Sequence, residues 1–284
     1  MRIVLTGADG FLGRHLADAF RAQGWDVAGL VRDPKGKSLS GQYFHYAFPA
    51  DLDPAVSAEP ADVVVHCAFA MKEPRENYHV NREAAAFLRR QFPAARFLFI
   101  SSMSAHEAAE SLYGREKLYI EHTLDPSRDL AIRPGFIIGA GGVFANLARS
   151  IRSLPAIPLF YGGRQPIQTV HIDDLCAAIV QAISLNLTGL LSYGEVEPVQ
   201  LRDFYQAIAN GLRVHRPLIP APGGLALAAL RTAEGLGLRL PMTSENLLGL
   251  KRLIEVDVRA DVERLQVTPR TMTQSLSTID WSAL

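Results

Sequence analysis

Tyr113 and Lys117 stand four residues apart in the run Tyr113-Gly-Arg-Glu-Lys117. On a helix that spacing places a phenol and an ammonium on one face. A nearby ammonium stabilises phenolate, so the pair predicts a tyrosine titrating below its reference value of about 10. Such a tyrosine can take a proton from an alcohol while the alcohol carbon gives up hydride. Just upstream, an apolar run ends in Ser101-Ser102-Met103-Ser104. If that run is a strand, a hydroxyl at its C-terminal end can hold the substrate oxygen beside the phenol. Ser102 and Ser104 are two positions apart and face the same side of an extended chain.

A second cluster opens the chain. Thr6-Gly7-Ala8-Asp9-Gly10-Phe11-Leu12-Gly13 directly follows Ile3-Val4-Leu5. A buried strand, a glycine-paved turn and a helix start make a site for a dinucleotide diphosphate. Gly7 permits the tight turn, Gly10 lets backbone approach a pyrophosphate, and Gly13 lets the helix pack closely on the strand. The free N–H groups and positive dipole end of that helix face the phosphates. The spacing is G-x-x-G-x-x-G rather than G-x-G-x-x-G.

The elements needed to position these residues are legible as alternating strands and helices. Strands are predicted at 2–6, 27–31, 43–48, 63–66, 97–101 and 131–138. Helices are predicted at 11–23, from about Arg75 to Phe92, and at 112–124. Leu12, Leu16 and Phe20 recur at helical spacing, and Gly24 is a stop. Such alternation implies a parallel sheet with helices on both faces, an α/β Rossmann-type doubly wound fold. Beyond Gly139 the rhythm loosens into helices at 143–154 and 173–185, a strand near 190–193, and a largely helical C-terminal part broken by Pro217, Pro220 and Pro222. The expected organisation is a dinucleotide-binding domain over 1–140 with a returning segment near 169–194. Residues 141–168 and 195–284 form a smaller substrate-binding lobe. His171 is predicted to pack at the junction of the lobes, with Asp173 and Asp174 capping the helix that follows.

Bulk properties narrow the function. The chain has 284 residues with 29 basic and 29 acidic side chains, so nothing points to nucleic acid. Two cysteines, Cys67 and Cys176, make no disulfide framework and read as reduced, buried and structural. The histidines form no metal-binding pattern, and no protein-held metal is expected. No stretch suits a membrane span and no cleavable signal is visible, so a cytoplasmic protein is expected.

Taken in order, these motifs resemble the short-chain dehydrogenase/reductase superfamily, and within it the extended NAD-dependent epimerase/dehydratases. Thr6 to Gly13 resembles T-G-x-x-G-[FY]-[IL]-G, and Ser102, Tyr113 and Lys117 resemble the Ser-Tyr-Lys catalytic set. Asp51-Leu52 resembles the pair that meets the adenine ring. His66-Cys67-Ala68 resembles the turn lining the nicotinamide, and Asn81 the asparagine supporting the active-site helix or a bound water. Ile132-Arg133-Pro134-Gly135 and Val170-His171-Ile172-Asp173 resemble elements of the second half. The resemblance implies cofactor contacts from Gly7, Asp9, Gly10, Phe11, Leu12, Gly13, Arg32, Asp51, Leu52, Cys67, Ala68, Tyr113, Lys117 and Pro134. It makes Tyr113 the general acid or base, and Lys117 both the tuning charge and a ribose contact.

Two departures stand out. The Ser102–Tyr113 gap is short, leaving the pocket open or shaped by the C-terminal lobe. Arg32 stands where NAD-preferring members carry an acid. It could pair with a 2′-phosphate, joined by Lys35 and Lys37, and this favours NADP slightly over NAD. Arg164 is the candidate for a substrate phosphate; Arg133 reads equally as structural. The implied substrate is a small molecule, most commonly a nucleotide sugar. The alternatives are NADPH-dependent reduction of a small non-sugar ketone or aldehyde, and a non-catalytic cofactor-binding assembly protein. A homodimer is left open.

Overall fold

The computed structural model describes residues 1–34, 41–71, 79–238 and 242–284. Lys35, Lys37 and the start of the helix expected from Arg75 lie outside them. The first half runs β1 (Arg2–Thr6), α1 (Phe11–Ala22), β2 (Asp26–Val31), β3 (Gln42–Ala47), β4 (Asp51–Leu52) and β5 (Val63–His66). It continues through α2 (Val80–Gln91), β6 (Arg96–Ile100), α3 (Leu112–His122), β7 (Leu130–Pro134) and β8 (Phe136–Ile138). Next come α4 (Gly142–Ser153), β9 (Ile157–Phe160), β10 (Pro166–Ile167), β11 (Thr169–His171), α5 (Ile172–Ser184) and β12 (Gly189–Tyr193). The C-terminal part contains β13 (Val199–Gln200), α6 (Leu201–Gly211), β14 (Leu218–Ala221), α7 (Gly223–Gly235), α8 (Ser244–Lys251), α9 (Arg259–Leu265) and α10 (Met272–Ser277).

Eight strands form the main sheet in the order β12-β7-β6-β5-β1-β2-β3-β4. Every pairing is parallel except that of β4 with β3. β5 is buried along its whole length, because a central parallel strand is covered on both faces. Leu12, Leu16 and Phe20 of α1 pack with Leu175 and Ile179 of α5 on one face. Ala85 and Leu88 of α2 and Ile120 of α3 cover the other. The strand order reverses between β1 and β5, and the carboxyl ends there are where ligands bind in such sheets.

The strand expected over 131–138 is two strands. β7 stays in the main sheet, whereas β8 pairs with β11. Gly135 makes the change, because a Cβ there would lie 2.4 Å from the Gln168 carbonyl oxygen. This break leads the chain into a second apolar cluster, built from Phe144 and Ile151 of α4, Phe204 and Ile208 of α6, and Leu276 of α10. The cap of α5 also differs from the expectation. His171 itself caps the helix, its Nδ1 accepting the Asp173 N–H at 3.2 Å. The Asp174 carboxylate instead accepts the Arg270 N–H at 2.8 Å, tying the C-terminal segment to the body.

Candidate active site

β1 and β5 end side by side, with Thr6 in register with His66. The Thr6 hydroxyl accepts the N–H groups of Cys67 and Ala68 at 3.1 and 3.0 Å. Its own proton is therefore directed to His66 Nδ1, 2.9 Å away. His66 is fully buried, and that burial pushes its pKa down to about 3, keeping the ring neutral. The turn after β1 then closes against the turn after β5. Gly7 has φ +66°, and a Cβ on it would meet the Ala68 backbone at 3.1 Å.

Gly13 is fixed by packing, since a Cβ would sit 2.0 Å from the Gly7 carbonyl oxygen. Gly10 is different. It is exposed, and its missing Cβ would approach only Gly7 O, at 3.1 Å. No side chain caps α1, and its first turn carries no acid. An open glycine face beside an uncapped helix N-terminus fits a diphosphate. Asp9 lies in the same turn, its carbonyl accepting Arg14 Nε at 2.9 Å. Leu12 is core, and the Phe11 ring rests on Gly139, Gly141 and Gly142.

The chemical groups gather one strand further on. Ser102 follows β6, and its hydroxyl accepts the Ser104 N–H at 3.1 Å. Ser104 is held through its backbone, with its carbonyl against Gly114, where a Cβ would come within 2.3 Å. Ser111 caps α3 and sets the phase of Tyr113 and Lys117. Tyr113 is half-buried, and its phenol interacts with the Ser102 side chain. Lys117 is buried, and its Nζ donates to the Ile100 carbonyl at 2.6 Å. The same Nζ lies 4.2 Å from the Phe69 ring centre, 4.5 Å from Phe99 and 5.7 Å from Tyr113.

The titration expected of Tyr113 needs correction. Burial raises its pKa, and only the Ser102 contact draws it back. Burial also pushes Lys117 down to about 7, with Cys67 and Glu121 opposing. Desolvation is the dominant influence on the phenol and disfavours its charged form. Cys67 is half-buried rather than buried, and its thiol is pushed up to about 11.

Other expected residues lie where the topology sends them. Asn81 clamps the turn after β5, accepting the Ala70 N–H at 2.8 Å and donating to its carbonyl at 3.3 Å. Pro134 ends β7, and its carbonyl accepts the Met103 N–H at 3.1 Å. Arg133 makes a two-pronged pair with buried Glu121, which Ser101 also contacts, so Arg133 is structural. Arg32 stands exposed after β2, and Asp51 is joined to His45. Arg164 is exposed on the turn after β9, and no described contact joins it to Ser102, Tyr113 or Lys117.

Several contributors left little sequence signal. Phe69 meets Tyr113 edge-on at 5.3 Å while lying under Lys117. Glu245 of α8 accepts the Leu112 N–H at 2.6 Å, and Glu110 pairs with Lys251 and Arg252. The C-terminal lobe therefore grips the short segment before Tyr113.

The NAD dependent epimerase/dehydratase family matches residues 3–189. This chain belongs to that family. As a family member it is 30% identical over 254 residues to a ceramide reductase of Caulobacter vibrioides, covering 80% of this chain and 76% of that one. It is 29% identical over 254 residues to a 3-diazoavenalumate denitrifying reductase of a Streptomyces species, covering 76% and 83%. Among solved structures, a UDP-glucose 4-epimerase from Thermotoga maritima superposes with a TM-score of 0.71 at 16% identity, covering 98% of each chain. A likeness at such low identity shows a shared fold. The epimerase/dehydratase family is one of NAD-dependent oxidoreductase-type enzymes, and this chain is such an enzyme.

Proposed function

We propose that the enzyme reduces a carbonyl substrate with a substantial apolar portion, drawing on NADPH in preference to NADH. The observation that carries this reading is the grouping of the Tyr113 phenol with Ser102 and the buried Lys117 at the carboxyl end of β6, where burial raises the pKa of the phenol. A phenol that keeps its proton suits donation to a developing alkoxide. Gly7, Asp9, Gly10, Phe11, Leu12 and Gly13 would carry the diphosphate. Arg32, Asp51 and Leu52 would frame the adenosine, and Cys67, Ala68, Pro134 and Lys117 the nicotinamide ribose side. A bound nicotinamide supplies hydride to the carbonyl carbon. Ser102 and Tyr113 hold the carbonyl oxygen, and Tyr113 gives it the proton that completes the alcohol. Lys117, as an ammonium, would stabilise the phenolate left behind until solvent returns its proton.

The apolar preference rests on α7. Only Gly223 of that helix is buried, and Leu225 is 73% exposed, as is Leu236 just beyond it at 72%. Glu234 of α7 accepts hydrogen bonds from Ser244 at 2.6 and 2.7 Å, and neighbouring Glu245 reaches Leu112. Through α8 this helix is tied to the residue before Tyr113, and its exposed leucines would offer the apolar portion of a substrate a surface. Two reductases among the relatives agree with reduction. A nucleotide-sugar substrate is the competing reading, and Arg164 is its candidate phosphate contact.

Deuterium-labelled NADPH separates the readings. Label should pass to the carbonyl carbon of a long-chain ketone, with one NADPH consumed per product. Interconversion of a UDP-sugar without net cofactor oxidation would replace reduction with epimerisation. Cofactor binding with no transfer to any compound in a broad ketone and UDP-sugar panel would make the chain a non-catalytic assembly protein.

A further inference from the structure

His45 lies at the carboxyl end of β3, in register with Val31 of β2. Its Nδ1 is 2.8 Å from the Arg32 carbonyl oxygen, and its Nε2 is 2.9 Å from Asp51 Oδ2. A carbonyl and an ionised carboxylate only accept hydrogen bonds, so each ring nitrogen must donate. The ring that satisfies both contacts is the imidazolium. It joins two pieces of backbone that are 19 residues apart, the turn after β2 and the antiparallel strand β4. The main chain reinforces the bond, since the Asp53 N–H donates to the His45 carbonyl at 3.0 Å.

We infer that His45 is a positioning residue for the adenosine end of the cofactor site. As a cation it holds the Arg32 turn and the Asp51–Leu52 strand in the spacing that the adenosine occupies, and it adds positive charge near a 2′-phosphate. This inference rests on the cofactor reading above. A neutral ring keeps one proton, so it can donate to Arg32 or to Asp51 but not to both. Loss of the ring proton therefore loosens one side of the adenosine frame.

The charged surroundings favour the cation. Asp51 and Asp53 raise the pKa of His45 above its ordinary 6.5, with the Asp51 hydrogen bond foremost. Among the described residues of the adjoining turn, Arg32 and Asp33 are charged. A raised folded-state pKa means that the clasp is present at low pH and is lost as pH rises through that value.

Two measurements test the inference. Nitrogen-15 spectra of the cofactor-free protein should show His45 protonated on both ring nitrogens at pH 6.5, with a midpoint above 6.5 that falls in Asp51→Asn. NADPH affinity, read by fluorescence titration, should weaken about three- to tenfold between pH 7 and pH 9, the worth of one hydrogen bond. His45→Gln should bind NADPH with that weakened affinity at both pH values. A His45 midpoint at or below 6.5, or His45→Gln binding as tightly as the parent at pH 7, overturns the inference alone. Failure of the parent protein to bind either dinucleotide at any pH overturns it together with the cofactor reading.

Discussion

At the scale of single residues, the two groups that would handle protons are governed by desolvation. Tyr113→Phe removes the proton donor and should lower kcat by about 10²–10⁴-fold while leaving the Kd for NADPH nearly unchanged; a near-parental rate would remove the phenol from the reaction. Lys117 carries a second prediction. Its folded-state pKa of about 7 lies below the ordinary 10.5. Between those values the unfolded chain holds a proton that the folded chain has released, so stability should rise as pH increases from about 7 to 10.5. Lys117→Met should flatten that rise in urea-unfolding midpoints. A slope equal to the parent's would show that the buried ammonium is not its source. In the sequence Ser102 is the first candidate for the hydroxyl and Ser104 the second, because Ser104 shares its strand-end parity. In the structure the Tyr113 phenol interacts with the Ser102 side chain, and the Ser104 N–H donates to the Ser102 hydroxyl.

At the scale of elements, close approach decides which glycines matter. A Cβ on Gly13 would sit 2.0 Å from Gly7 O. Gly13→Ala should therefore destabilise the chain by about 1–3 kcal/mol, the usual cost of overpacking, in chemical denaturation. Gly10→Ala should instead be tolerated by the fold and weaken NADPH binding, because its open face is where the diphosphate would come. Breaking the part-buried Glu121–Arg133 pair by Arg133→Met leaves the Glu121 carboxylate with only Ser101 beside it and should cost about 1–3 kcal/mol. The glycine turn, the strand–helix alternation and the Tyr113–Lys117 spacing were legible because each is written within a few consecutive residues. The division of 131–138 into β7 and β8 was not, because the carbonyl that Gly135 avoids belongs to Gln168. Phe69 was hidden for the same reason: it meets Tyr113 across 44 positions, and no periodicity records such a meeting. The cap of α5 was misassigned because acids in a first helical turn usually announce a cap, and here a histidine precedes them.

At the scale of the molecule, the segment that carries Tyr113 is held by two distant parts of the chain. The main sheet supplies Ser102 and the platform under α3. The C-terminal lobe grips the other side through Glu245 and through Glu110 with Lys251 and Arg252. The exposed leucines of α7 give this arrangement a testable consequence. Leu225→Glu should leave the thermal midpoint close to the parent's and lower kcat/KM for a long-chain ketone more than for a short-chain one. Equal losses on both substrates would separate α7 from substrate choice. The crossing at Gly135 has a practical bearing on recombination between relatives. One uninterrupted stretch, 130–138, contributes an interior strand to the main sheet and one of the two strands of the β8–β11 pair. A chimera spliced inside it would misalign both pairings at once, so exchange of the C-terminal half should place its junctions on either side of that stretch and carry it whole.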